Sequence, residues 1–595
     1  MSVRLKMLTL VAVLAFPAAG MAQSAPAIMS LNEVRPGMRG IGKTVISGQQ
    51  VEEFQFEVMD ILQWGFGPIT ADKLIMFRML GPLTEKTGGS AAGMSGSPLY
   101  VNGKLIGALS ASFNWQAPRR DVALATPIED MLRVLERKPN GTSGPTVYHA
   151  SRPVDIGGRR FDRIAVVTSP LAARRLAAQY PGGEIAIATP AVATFARGFS
   201  PRATRLLAGV IEPLGHEILQ GHGGRRDFVA QPIVPGSTIG IETVRGDFDF
   251  GGICTVAVRV GDRILACGHP WENQGDVEYI LTASEVLSVV RSIQRPFKMA
   301  NLGAMVGVAE QDRGTAVGGT LGPLPRLFNL RVIVTDLDTG TRVQKGAQMV
   351  RRRDLARALA PLVALSATEL ARNQGPGEGT ATVKLTLRAR GLSAPIVREN
   401  MFFSTRDVAT ASVLDVVDAM ELAFYNDLRA LTPFDLTVET SLTKRRVTAS
   451  IVEAAVATRE VSPGGILRVR VALQPYLAER PVTRVIEVPV PSDFPRGPAV
   501  VVVRSSGIDA PGVPVEAQLA GLLTTEPVPW GVGSLDEALR LFENFGRNTD
   551  LAVRILPFGL PTTAQDFTRF DVPAGRTVRT DWVIQGGERI PIVVR

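Results

Sequence analysis

The stretch GMSGSPLYVNGKLIGALS, residues 93–110, leaves the chain few options. Two glycines bracket Ser95, a proline follows at Pro98, and Asn102–Gly103 sits between two apolar runs. Asn-Gly between alternating apolar segments is the strongest short hairpin signal, because both residues tolerate the positive φ that a two-residue turn needs. The serine must therefore sit on a tight turn that feeds directly into two antiparallel strands, not into a helix. Similar short runs surround it (GKTVIS, VEEFQFEVMDIL, KLIMFRML), and 59 Gly and 41 Pro supply the turns between them. A mainly β chain follows.

At 595 residues the chain is too long for one core, and several units are expected. Residues 31–140 read as a β unit closed by the helix TPIEDMLRVLER, with Thr126 as its N-cap, Pro127 at the first helical position and Glu129 completing a capping box. Residues 141–235 mix short strands with Ala-rich helical stretches and read as an α/β insertion. Residues 236–345 return to strands, with SEVLSVVRSI as a helical interruption. A helical linker covers 346–375, and its helix spans about 352–373 up to the QGPGEG breaker. An α+β accessory region covers 376–460. Residues 461–595 alternate like a β-sandwich, with one helix opened by Ser534 and Glu537.

The first 22 residues, with Arg4 and Lys6 ahead of an apolar run from Met7 to Phe16 and small residues at Gly20 and Ala22, read as a secretory signal peptide. Ten apolar residues are too few to span a bilayer. The expectation is a secreted or periplasmic protein with no transmembrane anchor. The net charge of +9 is scattered in pairs such as Arg119–Arg120 and Arg159–Arg160, which favours a solvated basic surface and no nucleic-acid partner. Cys254 and Cys267 flank a hairpin turning at Gly261–Asp262 and lie diagonally on one face, so they form either a cross-strand disulfide or two buried thiols. With His269 they make three metal-type ligands without a fourth, so no metal and no cofactor is expected. His216 and His222, in GHEILQGHGG, read as solvent-exposed loop residues.

A serine becomes a nucleophile when a turn exposes it, a base takes its proton and backbone N–H groups face the developing oxyanion. Gly93 and Gly96 permit such a turn, and the N–H groups of Gly93 and Ser95 would form the oxyanion hole. An α/β-hydrolase elbow would need glycine where Ser97 stands and a helix right after the serine. A tight turn in a β-barrel, without chemistry, is the plainer alternative.

TEKTGGSAAGMSGSPLYVNGKLIGALS resembles the serine segment of the SpoIVB peptidase family, and residues 35–60, RPGMRGIGKTVISGQQVEEFQFEVMD, resemble the strands leading to it. That resemblance implies a chymotrypsin-like double β-barrel, with Ser95 as nucleophile and a substrate strand at Ser110, Ala111 and Ser112. No histidine precedes Ser95. The family's histidine segment is instead similar to GGICTVAVRVGDRILACGHPWENQGD, residues 251–276, which makes His269 the base and puts the two halves in swapped chain order. The family's acid falls where Leu80 stands, with only Glu85 acidic nearby. Asp312 is the first substitute to orient the imidazole, followed by Asp276 and Asp249. The family's PDZ module is not recognisable.

The sequence thus predicts a mainly β protein, a chymotrypsin-like double β-barrel split by an α/β insertion and followed by C-terminal β-sandwich-like domains. It predicts an exported serine endopeptidase acting on a protein or peptide, including its own chain, with self-cleavage near 112–122 or 140–150. The alternative is an inactive pseudo-peptidase serving as an envelope binding scaffold.

Overall fold

A computed structural model describes residues 26–66, 71–113, 121–136, 146–167, 170–180, 182–190, 192–212, 216–219, 227–292, 296–425, 428, 431, 434–507, 515–524, 533–559 and 574–595. Six strands lie between Arg39 and Pro127: β1 (Arg39–Thr44), β2 (Glu52–Phe66), β3 (Lys73–Leu80), β4 (Pro98–Val101), β5 (Lys104–Ser112) and β6 (Val122–Pro127). They close into an antiparallel ring in the order β1-β2-β3-β6-β5-β4, with β4 returning to β1. The core is apolar, built from Phe54, Phe56, Ile75, Phe77, Leu99 and Ile106. The Asn102–Gly103 turn joins β4 to β5 with φ of 50° and 74°, as its sequence requires.

Among its described residues, the segment expected as an α/β insertion has no sheet of its own. β7 (Thr146–Ile156), β8 (Arg159–Val166) and β9 (Ala186–Pro190) extend the first sheet beyond β2, and β9 comes back to pair with β5. β10 (Ala193–Arg197) and β11 (Ile218–Leu219) join the second sheet instead.

That second sheet holds another ring: β12 (Thr238–Gly246), β13 (Asp249–Val260), β14 (Arg263–Ala266), β15 (Gly275–Val290), β16 (Phe297–Arg313) and β17 (Ala316–Leu321). Its order is β12-β13-β14-β17-β16-β15, with β15 closing on β12, every pairing antiparallel. Numbered within each ring, both barrels read 1-2-3-6-5-4. Ring closure leaves no free edge inside either barrel. The stretch SEVLSVVRSI, expected as a helix, lies mostly in β15. Its β-branched Val286, Val289 and Val290 face β16 partners across the ladder, where such side chains pack well.

Helix α1 (Pro82–Thr87) interrupts the connection from β3 to β4, and α2 (Ile128–Leu135) follows β6. Ile128, Met131 and Val134 of α2 pack with Leu105 and Ala108 of the first barrel and Val258 and Leu265 of the second, so one helix is wedged against both. Its cap differs from the sequence reading. Pro127, not Thr126, is the N-cap, with no side-chain cap bond. The Thr126 hydroxyl is drawn across the junction to the Gly268 carbonyl, 2.6 Å away, and the Glu129 carboxylate accepts from Leu31 N instead.

Strands at Leu327–Asp336, Arg342–Val350, Gly379–Ala389, Ile396–Ser404 and Phe434–Thr443 continue the second sheet. Helices Arg353–Arg372 and Leu414–Phe424 cover them with a large apolar core. From Thr448 onward the described strands form sheets of four and five around a shared core, a sandwich. Helix Leu535–Asn544, whose Ala538, Leu539 and Phe542 join the core over the second sheet, is capped by Ser534, whose Oγ accepts from Glu537 N. Among the described residues no helix is long and apolar enough to cross a membrane. The proposed leader, residues 1–22, lies outside the described residues, as do most of the loops 112–122 and 140–150.

Candidate active site at the junction of two barrels

Ser95 lies between β3 and β4, and His269 lies between β14 and β15. Both are therefore on the connection from the third to the fourth strand of their barrel, and these two connections touch. Gly96 N donates to Leu109 O, while Thr255 N of the second barrel donates to Ser95 O at 2.7 Å. The glycines make the approach reciprocal. A Cβ on Gly96 would overlap the Thr255 carbonyl oxygen and lie 2.6 Å from Cys267 N, and one on Gly268 would lie 2.7 Å from Leu109 O. Gly96 and Gly268 have φ of 91° and 71°, where side chains other than glycine are strained.

The serine turn is held at several points. Met94 N donates to Ala91 O and Ser97 N to Met94 O, and the Ser97 hydroxyl donates to Met94 O as well. The Gly93 carbonyl accepts from Thr255 Oγ1 at 3.0 Å. Lys298 N donates to Ala92 O and Ala92 N to Pro296 O, which fixes the peptide plane carrying the Gly93 N–H. Among the described residues, neither the Gly93 nor the Ser95 N–H donates a hydrogen bond. Ser95 itself is fully buried, and its Oγ donates to Cys254 Sγ at 3.8 Å.

The histidine loop is pinned by a disulfide and by a buried carboxylate. Cys254 and Cys267 are joined by a disulfide with Cα atoms 5.0 Å apart, and Cys267 takes an unusual φ of 72° immediately before Gly268. The Asp312 carboxylate, at the turn from β16 to β17, accepts from Trp271 N and Glu272 N at 2.7 Å each and from Gln274 N at 3.3 Å. Burial pushes this carboxyl up to about 7, against the pull of those donors. The sequence reading had Asp312 orienting the imidazole; its hydrogen bonds go to the loop backbone. His269 Nδ1 lies 2.7 Å from Pro270 O, and since a carbonyl only accepts, Nδ1 carries a proton. The other candidate acids are committed to arginines, Asp276 to Arg313 at 2.7 Å and Asp249 to Arg197.

A small cavity of about 50 Å³ brings His269 and Gly268 together with Ser110, Ala111 and Thr126. The expected substrate strand is not an open edge. β5 pairs with β6 on one side, and on the other Ala111 faces Pro190 and Ser112 faces Thr189 of β9.

Three groups were missed from the sequence. Lys298 is wholly buried behind the serine turn, its Nζ donating to Thr44 Oγ1 at 2.9 Å and to Thr238 and Thr255 Oγ1 at 3.4 Å each. Burial lowers its ammonium to about 7. The available signal was period-two alternation, which puts Lys298 on the inward face with Ala300. His216, expected in solvent, is buried, with Nδ1 2.9 Å from Thr194 Oγ1, Nε2 3.3 Å from Glu272 Oε1 and its ring tilted by 50° against Trp271 at a centroid distance of 4.8 Å. Glu272 in turn meets Tyr279 and Arg352, so the histidine loop is tied to the start of helix Arg353–Arg372. His222 lies outside the described residues. Among those residues, no group of three or more His, Cys, Asp and Glu side chains is arranged to hold a metal ion.

Residues 17–132 match the family model described as SpoIVB peptidase S55. This stretch is similar to the SpoIVB peptidase family. The match takes in the whole first barrel with Ser95 and ends within α2, before the barrel that carries His269. No curated protein and no solved structure matches the chain.

Proposed function

We propose that this protein is an exported serine endopeptidase of the SpoIVB type whose active centre is divided between two barrels. The observation that carries the reading is the meeting of two equivalent connections, one bearing Ser95 and the other His269. In the proposed reaction Ser95 Oγ attacks the scissile carbonyl carbon as its proton passes to His269 Nε2, and the oxyanion is received by the Gly93 and Ser95 N–H groups. The imidazolium returns that proton to the leaving amine, and water repeats the sequence to release the acyl group. Pro270 O holds the imidazole tautomer, and Asp312 acts as a positioning residue through the loop backbone. Ser95 Oγ must turn from Cys254 Sγ toward the imidazole before it can react. The disulfide supports an oxidising compartment, in keeping with the N-terminal export pattern, and the substrate is an envelope protein or the chain itself.

A second reading is favoured by the full burial of Ser95: a binding scaffold that keeps the serine turn for its shape. A fluorophosphonate probe on purified mature protein separates the two. Labelling of wild type, lost in Ser95→Ala and His269→Ala, is the expected result. A folded wild-type protein that takes no label overturns the peptidase reading in favour of the scaffold.

A further inference from the structure

We infer that the second sheet, on its open face beyond the barrel, carries a binding site for an acidic saccharide, a sugar chain bearing carboxylates. The strands that continue this sheet are β18 (Leu327–Asp336), β19 (Arg342–Val350), β20 (Gly379–Ala389), β21 (Ile396–Ser404) and β22 (Phe434–Thr443), in the order β12-β19-β18-β22-β20-β21. Alternation sends Leu330, Val332, Leu387 and Leu436 into the helix-covered core, so the residues between them face the other way. One row on that face crosses five strands in register: Arg245, Gln348, Asn329, Asp435 and Arg388. The next row sets Gly346, Arg331 and Thr437 side by side. Both rows line a hollow of about 480 Å³, in which Gly346 leaves room where another residue would place a side chain.

Charges on this hollow are left unmatched. Among the described residues, the guanidinium groups of Arg331 and Arg388 make no ion pair or hydrogen bond, whereas further along the same face Lys384 meets Glu439 at 3.9 Å. Asp435 stands opposite Arg388 in register but accepts from Asn329 Nδ2 at 2.6 Å, and Asn329 Oδ1 accepts from Gln348 Nε2 at 3.3 Å. Arg245 is engaged by Glu242 and the Gly303 carbonyl, and the nearby Asp247 by Lys345 and Gly346 N. The two open guanidinium forks match planar carboxylates. Between them the Gln348–Asn329–Asp435 row keeps spare donor and acceptor capacity for hydroxyls. A hydroxylated chain with spaced carboxylates uses both, while Asp435 opposes a densely charged one. No aromatic side chain lines the hollow among the described residues, so nucleic-acid bases find no stacking platform. β18, β19 and β22 are each paired on both sides, which leaves a peptide no edge to join there. None of this uses Ser95 or His269, so the inference is independent of the peptidase reading.

The test titrates the full mature chain with tetragalacturonate in a calorimeter. Wild type is expected to bind, and Arg331→Gln and Arg388→Gln are each expected to weaken binding at least ~10-fold. Both side chains are exposed, so the variants keep the core intact. The double variant Arg331→Lys, Arg388→Lys retains the charge but not the forks, and a loss of about fivefold is expected. The neutral methyl ester of the same tetrasaccharide is expected not to bind. Absence of heat from wild type at about 1 mM tetragalacturonate overturns the inference, as does full binding by the double lysine variant, which would reduce the site to diffuse charge. Tetraglutamate bound as tightly as tetragalacturonate overturns it in favour of an acidic-peptide surface.

Discussion

The two barrels share one strand order and differ in how they hold the same connection. In the first, 17 residues separate β3 from β4, including α1 and the glycine turn around Ser95; in the second, 8 residues separate β14 from β15. Besides hydrogen bonds within its own barrel, the long connection takes bonds across the junction from Thr255 N, Thr255 Oγ1 and Lys298 N. The short one is tied to its own barrel by the disulfide and the Asp312 carboxylate, and takes a bond across the junction, from the Thr126 hydroxyl to the Gly268 carbonyl. Under the proposed reading, a nucleophile and a base carried by different barrels make an active centre that exists only when the barrels dock.

The largest break in this comparison comes at the contact itself. Gly96→Ala drives a Cβ into the Thr255 carbonyl at a positive φ, and a cost of about 4 kcal/mol or more is expected in chemical denaturation. Gly37→Ala is the control, since it has φ of 87° but open space around it, and about 1 kcal/mol is expected. Equal losses would show that backbone strain, not docking, matters at Gly96.

Asp312→Ala strips the acceptor from three loop N–H groups and is expected to cost about 3 kcal/mol. It should also slow fluorophosphonate labelling, if the loop positions His269. Unchanged labelling in a folded variant would break the claim that the second barrel frames its own base. Replacing Cys254 and Cys267 together by Ser opens a cross-link spanning 13 residues, and about 2–3 kcal/mol of lost stability is expected. The same change should alter the serine turn, because Ser95 Oγ loses its sulfur acceptor.

The smallest effect sharpens the electrostatic side. The Lys298 ammonium is lowered by burial to about 7 from an ordinary 10.5. Between those values the unfolded chain binds more protons than the folded one, so wild-type stability rises with pH there. Lys298→Met lacks this slope. The melting temperature of wild type minus that of Lys298→Met should therefore grow between pH 7 and pH 9, by about 5 °C. A flat difference would mean that the ammonium keeps its ordinary value in the folded protein.

Much of the local structure was legible. The Asn102–Gly103 hairpin, the Ser534 cap and the helix over about 352–373 rest on short-range rules, and each is found where those rules put it. Thr126 shows where such rules end: a good N-cap by type, it bonds the Gly268 carbonyl because that carbonyl lies across the docked junction. SEVLSVVRSI shows the same from the other side, since barrel closure on β16 overrode its helical appearance.

By itself the sequence determined that Ser95 sits on a glycine turn ahead of a hairpin, that the chain is mainly β, and that a histidine and two cysteines follow in one later segment. Those are statements about neighbours in the chain, where φ preference and alternation act directly. Only the tertiary structure decided that two rings share one strand order and that Gly96 and Gly268 each touch the opposite barrel. It also decided that Lys298 and His216 are buried and that β9 covers β5. Each of these joins residues far apart in sequence, and their meeting depends on which surfaces exclude water together, a property no short stretch of the chain carries.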